Sequence, residues 1–254
     1  MPAPTGATLL EIVNTVAQSV GHSKTTSVFS SQDEAILRLG FYANLACKEL
    51  YYMNYWQVLS QTASISVVAA VAGETQSSFA LPTDFKCMVD NTHWNRSTQL
   101  PAIGPINPQD WQWLIVRSAQ ITTRFMWRIR DGLIWVKSAP PPGFPQILTF
   151  EYMSKYWAYD QPSGGGADVP AVEMTKDTSW HVFPVDLVTL YTRAKWFENE
   201  GYDASTAIAD FTKAFNWETG NDKGAATLSL VPSSSAFPYV GPGNAPDTGF
   251  GSSF

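Results

Sequence analysis

Two stretches of helical periodicity, one towards each end of the chain, enclose a long stretch that alternates like β-strand. This order constrains the fold more than any single motif. Helices at both ends bury their apolar stripes most readily against each other, which makes the middle an insertion. The first helix is predicted from about Thr8 to Val20, with Leu9, Ile12, Val13, Val16 and Val20 at spacings of three and four and Gly21 as its stop. The second opens at Ser31, where Ser31-Gln-Asp-Glu34 has the capping-box form, and continues through Ile36, Leu37, Phe41, Leu45 and Leu50 to roughly Trp56. Towards the other end, Pro184-Val-Asp-Leu187 begins a helix that runs through Leu190, Ala194 and Phe197 to Gly201. Asp203 caps another, with Ile208, Phe211 and Phe215 on one stripe.

Between them, Ile65, Val67, Ala69 and Val71 alternate as a strand, a second strand approaches Leu81-Pro82, and Lys86 to Asn91 reads as a third. Asn107 caps a short helix with Pro108 at its first position, where the missing amide costs nothing. Arg124 to Arg130 and Leu133 to Lys137 form a hairpin around Asp131-Gly132, a pair suited to a type I′ turn, with Phe125, Trp127 and Ile129 on one face. Pro140-Pro-Pro-Gly143 closes that unit, and a long strand follows from Gln146 to about Trp157. The expected fold class is α+β: a helical bundle of N- and C-terminal helices with an inserted antiparallel, sandwich-like β-domain. The expected boundaries are 1–57 and 171–231 for the bundle, 58–160 for the β-domain, 161–170 for a Gly-rich linker and 232–254 for an extended C-terminal tail.

Composition narrows the functional classes. The chain of 254 residues is 44% hydrophobic but only 15% charged, against about a quarter charged in an ordinary soluble domain. Burial of the exterior against other chains accounts for the deficit, although a Ser- and Thr-rich β surface has the same composition. A net charge of -6 argues against gripping nucleic acid through counterion release, yet suits an acidic lumen along which a duplex slides. Cys47 and Cys87 have neither CxxC nor metal spacing and read as free thiols. No signal peptide or membrane-spanning run is expected.

No constellation points to catalysis, a cofactor or a metal. His22, His93 and His181 lie far apart, with no second ligand at helical spacing. There is no GxSxG, and Gly164-Gly165-Gly166 lacks the Lys-Ser/Thr of a phosphate loop. Ten Trp in an acidic chain, with Glu151, Asp160, Glu173 and Asp177 available as carboxylates, raise a carbohydrate-binding β-module as the alternative, but singly placed Trp residues are explained by core packing. Arg124, Arg128 and Arg130, with Lys137 on the return strand, form the one basic cluster, expected to face an acidic patch of a neighbouring subunit or the lumen. Phe237, Tyr239, Phe250 and Phe254 punctuate the tail and are expected to insert into a partner on docking.

Three segments carry a resemblance: Phe79-Ala-Leu-Pro-Thr-Asp-Phe85, Thr92-His-Trp94 and Phe150-Glu-Tyr-Met-Ser154. In this order, followed by the helical stretch Asp186 to Gly201 and Tyr202, they resemble the bacteriophage head-to-tail adaptor family, which includes the tail tubular protein A-like connectors. The likeness spans roughly Asp33 to Glu218, and the tail after Pro232 has no counterpart. The resemblance implies a non-catalytic virion protein at the head–tail junction, assembled from the host cytoplasm. It also implies a homo-oligomeric ring, commonly of about twelve copies, between the portal protein and the tail nozzle or tail tube. Double-stranded DNA passes through such a ring without sequence-specific binding.

Overall fold

The computed structural model describes residues 6–68, 76–116, 124–137, 145–162 and 166–222. Over them the chain is α+β, with five α-helices and sheets whose strand pairings are all antiparallel.

Helix α1 (Leu9–Ser19) buries Leu9, Ile12, Val13, Val16 and Ala17 on one stripe. Its first turn is held by a capping box in which the Thr8 hydroxyl accepts from the Glu11 amide at 3.3 Å and the Glu11 carboxylate accepts from the Thr8 amide at 2.9 Å. Gly21, at φ 87°, turns the chain out of the helix.

Helix α2 (Glu34–Met53) starts later than its sequence implies. Asp33 is its cap, accepting from the Ala35 amide at 3.0 Å, while the Ser31 hydroxyl accepts from the Asp33 amide at 3.1 Å and only orients the capping residue. A carboxylate at the positive end of the helix outcompetes the hydroxyl two residues upstream. Past the last turn, the Trp56 indole folds back and donates to the Leu50 carbonyl at 2.8 Å. The buried stripe is Ile36, Leu39, Ala43, Ala46, Cys47 and Leu50, whereas Leu37 and Phe41, two of the apolar residues along the predicted helix, are 43% and 64% exposed. Small residues decide this. A Cβ on Gly40 would lie 2.6 Å from the Val28 side chain, so the close-packed face is the one bearing Gly40 and the alanines.

Helices α4 (Val185–Asn199) and α5 (Ser205–Asp222) join across Gly201 at φ 78°. The Asp203 carboxylate accepts from the Ser205 amide at 2.9 Å. Phe211 is buried and Phe215 packs at the edge of the core, but Ile208 is 45% exposed and Ala207 takes the inward position one residue earlier. The buried faces of α1, α2, α4 and α5 contribute to a single core, completed by Met153, Trp157, Met174 and Phe183.

A second core lies between two sheets. In the first, β1 (Ser60–Val67) pairs along its whole length with β8 (Gln146–Ser154), from Ser60 opposite Met153 to Val67 opposite Gln146. Strands β3 (Phe85–Met88) and β4 (Trp94–Asn95) also pair with β8, and β5 (Leu100–Pro101) pairs with β4. The second sheet is β2 (Gln76–Ala80), β7 (Leu133–Lys137) and β6 (Met126–Arg130) in that order. Val67, Leu148, Phe150 and Tyr152 from the first sheet meet Ile134 and Val136 of β7, Trp127 of β6 and the adjacent Phe125. Asp131 and Gly132 take φ 55° and 71°, both positive, as the type I′ turn of the hairpin requires. Helix α3 (Pro108–Val116) starts after Asn107, whose side chain accepts from the Asp110 amide at 2.8 Å.

Strand β8 ends at Ser154, three residues short of the expected Trp157. Beyond it, β9 (Ala158–Asp160) pairs with β10 (Val169–Ala171) and β11 (Trp180–His181) in a third small sheet. The expected 161–170 linker therefore closes in a strand, because Val169 and Pro170 align with Asp160 and Tyr159. Pro140 to Gly143, Ser163 to Gly165, the end of the first predicted strand at Ala69 to Val71, and the tail lie outside the described residues.

Candidate functional site

The motif segments that lie far apart in sequence meet at one place. The Phe85 amide donates to the Pro82 carbonyl at 3.0 Å, closing a tight turn, and β3 then pairs with the last residues of β8, Phe85 opposite Ser154 and Met88 opposite Tyr152. Asp84 is fixed from two sides: its carbonyl accepts from the Lys155 amide at 2.7 Å and its carboxylate from the Tyr152 hydroxyl at 2.8 Å. Burial, followed by the carboxylate beside it, pushes the Tyr152 phenol up to about 12. On the other side, the Tyr51 hydroxyl of α2 donates to the Ser154 carbonyl at 3.3 Å, tying the helical core to the end of β8.

A groove of about 540 Å³ lies at this junction. One wall is α2, with Phe41, Leu45, Lys48 and Tyr52; another is the motif region, with Phe85, Lys86, Lys155 and Trp157. Val172 and Glu173 close it, on a segment held to α2 by paired hydrogen bonds between the Asn44 side chain and the Met174 backbone, at 2.9 and 3.1 Å. Three lysines line it against one carboxylate, in a chain whose net charge is -6. The Lys86 ammonium sits 3.4 Å from the centroid of the Tyr51 ring and 4.4 Å from that of Tyr52, a cation–π arrangement, and burial lowers its pKa. Among the described residues, no carboxylate forms an ion pair with Lys48, Lys86 or Lys155. At the rim, Phe41 and Tyr52 are 64% and 66% exposed. The arrangement can hold an anion next to an aromatic or aliphatic group.

The basic cluster read from the hairpin survives in part. Arg128 and Arg130 point away from the inner core of the two sheets, with the Arg130 guanidinium 4.3 Å above the Trp135 ring and 3.2 Å from the Asp131 carboxylate. Arg124, exposed, precedes β6. Lys137 does not belong with them: it is buried, and its ammonium donates to the Leu114 carbonyl in the last turn of α3. Its place in the strand register puts it on the outer face, but the α3 backbone at Leu114 covers it there, which the register alone does not reveal. Phe237, Tyr239, Phe250 and Phe254 lie outside the described residues.

The histidines are dispersed. His22 meets the Trp196 ring edge-on at 5.5 Å. His93 is buried, with a ring nitrogen 3.0 Å from the Met88 sulfur and its ring 4.2 Å from Trp127, and burial lowers its pKa to about 4. His181 is fully buried. Among the described residues, no three His, Cys, Asp or Glu side chains gather in a way that could hold a metal ion. Of the four carboxylates considered for sugar chemistry, Asp160 accepts from Thr175 and Ser179, and Asp177 accepts from the Val28 amide at 2.8 Å, so both hold loops. Glu151 is exposed on β8, and Glu173 lies in the groove.

The three groove lysines carry no sequence signal of their own, being isolated in three separate segments. The available signal is positional: Lys86 directly follows the 79–85 motif and Lys155 directly follows the 150–154 motif. Among the described residues no helix is long and apolar enough to cross a membrane. Compared with known protein families and with curated protein sequences, the chain matches none.

Proposed function

We propose that the chain is a structural, non-catalytic subunit of a bacteriophage head–tail adaptor ring. The observation that carries this reading is the meeting of the Phe79–Phe85 and Phe150–Ser154 segments, joined by β3–β8 pairing and the hydrogen bond from Tyr152 to Asp84. Two segments that share a resemblance to one family also share one structural unit. The chain order supports it too, because residues 1–57 and 171–231 read as one discontinuous helical bundle and residues 58–160 as an inserted sandwich-like β-domain.

In this reading the function is assembly. Each subunit contacts two neighbours through different faces, and the contact closes into a ring, commonly of about twelve copies, by rotation. Large apolar side chains left exposed, among them Tyr55, Tyr202 and Trp217, supply surface for such contacts. Arg124, Arg128 and Arg130 face a neighbour's acidic surface or the lumen, the acidic chain lets double-stranded DNA pass, and the tail residues Phe237, Tyr239, Phe250 and Phe254 order on docking to the portal or the tail.

Native mass spectrometry of the full chain, alone and with a portal ring, tests the reading. A ring of about twelve copies in either sample supports it. A stable monomer that ignores the portal and retains glycans overturns it in favour of a carbohydrate-binding module.

A further inference from the structure

We infer that the groove between α2 and the β3–β8 junction is a docking site for an acidic peptide segment of a partner protein, one that carries an aromatic side chain beside its carboxylates. Charge is the first argument. Lys48, Lys86 and Lys155 converge on the groove against the single Glu173, inverting locally the sign of a chain with net charge -6. None of the three forms an ion pair with a carboxylate of the described residues, so the fold supplies the cations without their counter-charge.

Shape is the second argument. The groove, at about 540 Å³, falls in the range of about 300–1,000 Å³ over which ligand sites are found. A smaller hollow of about 150 Å³ adjoins it, with Tyr51, Tyr52 and Lys86 lining both. Phe41 and Tyr52 stand exposed at the rim, placed to take an aromatic ring of the incoming segment. A nucleic acid fits less well. No arginine lines either hollow to grip phosphate with a forked pair of bonds, and the lysines gather round a cavity instead of running as a stripe.

The test is a titration of the full chain with a fluorescein-labelled random copolymer of glutamate and tyrosine, followed by polarization. Polyglutamate, a thymidine oligonucleotide and a synthetic peptide of residues 232–254 serve as competitors. Saturable binding is expected, weakening as salt rises, because exposed ammonium groups are screened. K86E/K155E is expected to weaken it at least tenfold, and F41A or Y52S several-fold. K48E, at an exposed lysine outside the Lys86 cation–π contact, provides a second charge reversal that leaves the Tyr51 and Tyr52 packing alone and is also expected to weaken binding, with unchanged thermal melting. Equal binding by wild type and the lysine variants overturns the proposal, as does polyglutamate competing as well as the copolymer. Tighter binding of the oligonucleotide, or displacement by the chain's own 232–254 peptide at lower concentration, replaces the partner with another occupant and also overturns it.

Discussion

The Tyr152 hydroxyl donates to the Asp84 carboxylate at 2.8 Å, joining two segments 68 residues apart at the edge of the core between the sheets. Tyr152 also packs its ring among Phe85 and Phe150, so the hydroxyl is the polar tip of a buried aromatic. Replacing Tyr152 by Phe keeps the packing and deletes the bond, which costs about 2 kcal/mol because the acceptor is charged. Urea denaturation of Y152F reads this directly, and Y152F/D84N recovers part of the loss if the unpaired carboxylate is the cause. The pH dependence has a definite sign. The phenol ionises near 10 in the unfolded chain and about 12 in the folded one, so this contribution is full below pH 10 and lost as pH rises through 12.

The capping residues separate two helices that look alike in sequence. Thr8 and Glu11 bond reciprocally at the start of α1, whereas at α2 Asp33 caps and Ser31 only supports it. T8A and D33A are each expected to cost about 1 kcal/mol, and S31A a few tenths. Chemical denaturation midpoints of the three variants give the ranking. An S31A loss equal to that of D33A contradicts the assignment of the cap.

The elements that were legible are those whose signal is local. Helix α1 follows from its apolar spacing, and the hairpin from alternation around Asp131-Gly132, because a side-chain period and a turn with two positive φ values need no distant partner. The outward position of Leu37 and Phe41 was not legible, since apolar residues at helical spacing fit a core stripe as well as they fit an exposed face. What decides between the faces is the close approach of Val28 to Gly40, a tertiary contact. Lys137 misled for the same reason: its register puts it on the basic face, but the last turn of α3 comes down over it. The groove is the extreme case. Lys48, Lys86 and Lys155 come from three segments, and only the pairing of β3 with β8 beside α2 brings them together.

Gly132 is the hairpin residue with the least freedom to change. At φ 71° a side chain is strained, although a Cβ there meets no other atom within 4 Å, so the penalty is conformational and not steric crowding by neighbours. G132A is expected to cost about 1 kcal/mol, read as a shift in the urea midpoint with an unchanged slope. Asp131 tolerates Asn, a preferred first residue of the same turn, but D131N loses the contact with Arg130, which is exposed enough to contribute little.

His181 makes stability depend on acid. It is fully buried beside Gly6, where a Cβ would lie 2.1 Å from the His181 carbonyl oxygen, and its ring stacks 6.2 Å from Phe183. Neither ring nitrogen makes a well-aligned hydrogen bond among the described residues, and the Phe183 backbone, the one polar group acting on the ring, only partly offsets the burial. Burial lowers its pKa to about 4, so the folded state keeps the ring neutral. Because the folded value lies below the ordinary one, the unfolded chain takes up the proton first. Stability is therefore full above about pH 6.5 and falls as pH drops from there towards 4, by about 3 kcal/mol from this residue alone. His93, also held neutral by burial, acts in the same direction. H181F removes the titrating ring and its two nitrogens while keeping an aromatic of similar shape. Its urea midpoint should match or exceed wild type at pH 7 and lose less between pH 6.5 and pH 4.5. A wild-type midpoint that does not move over that interval removes His181 as the source.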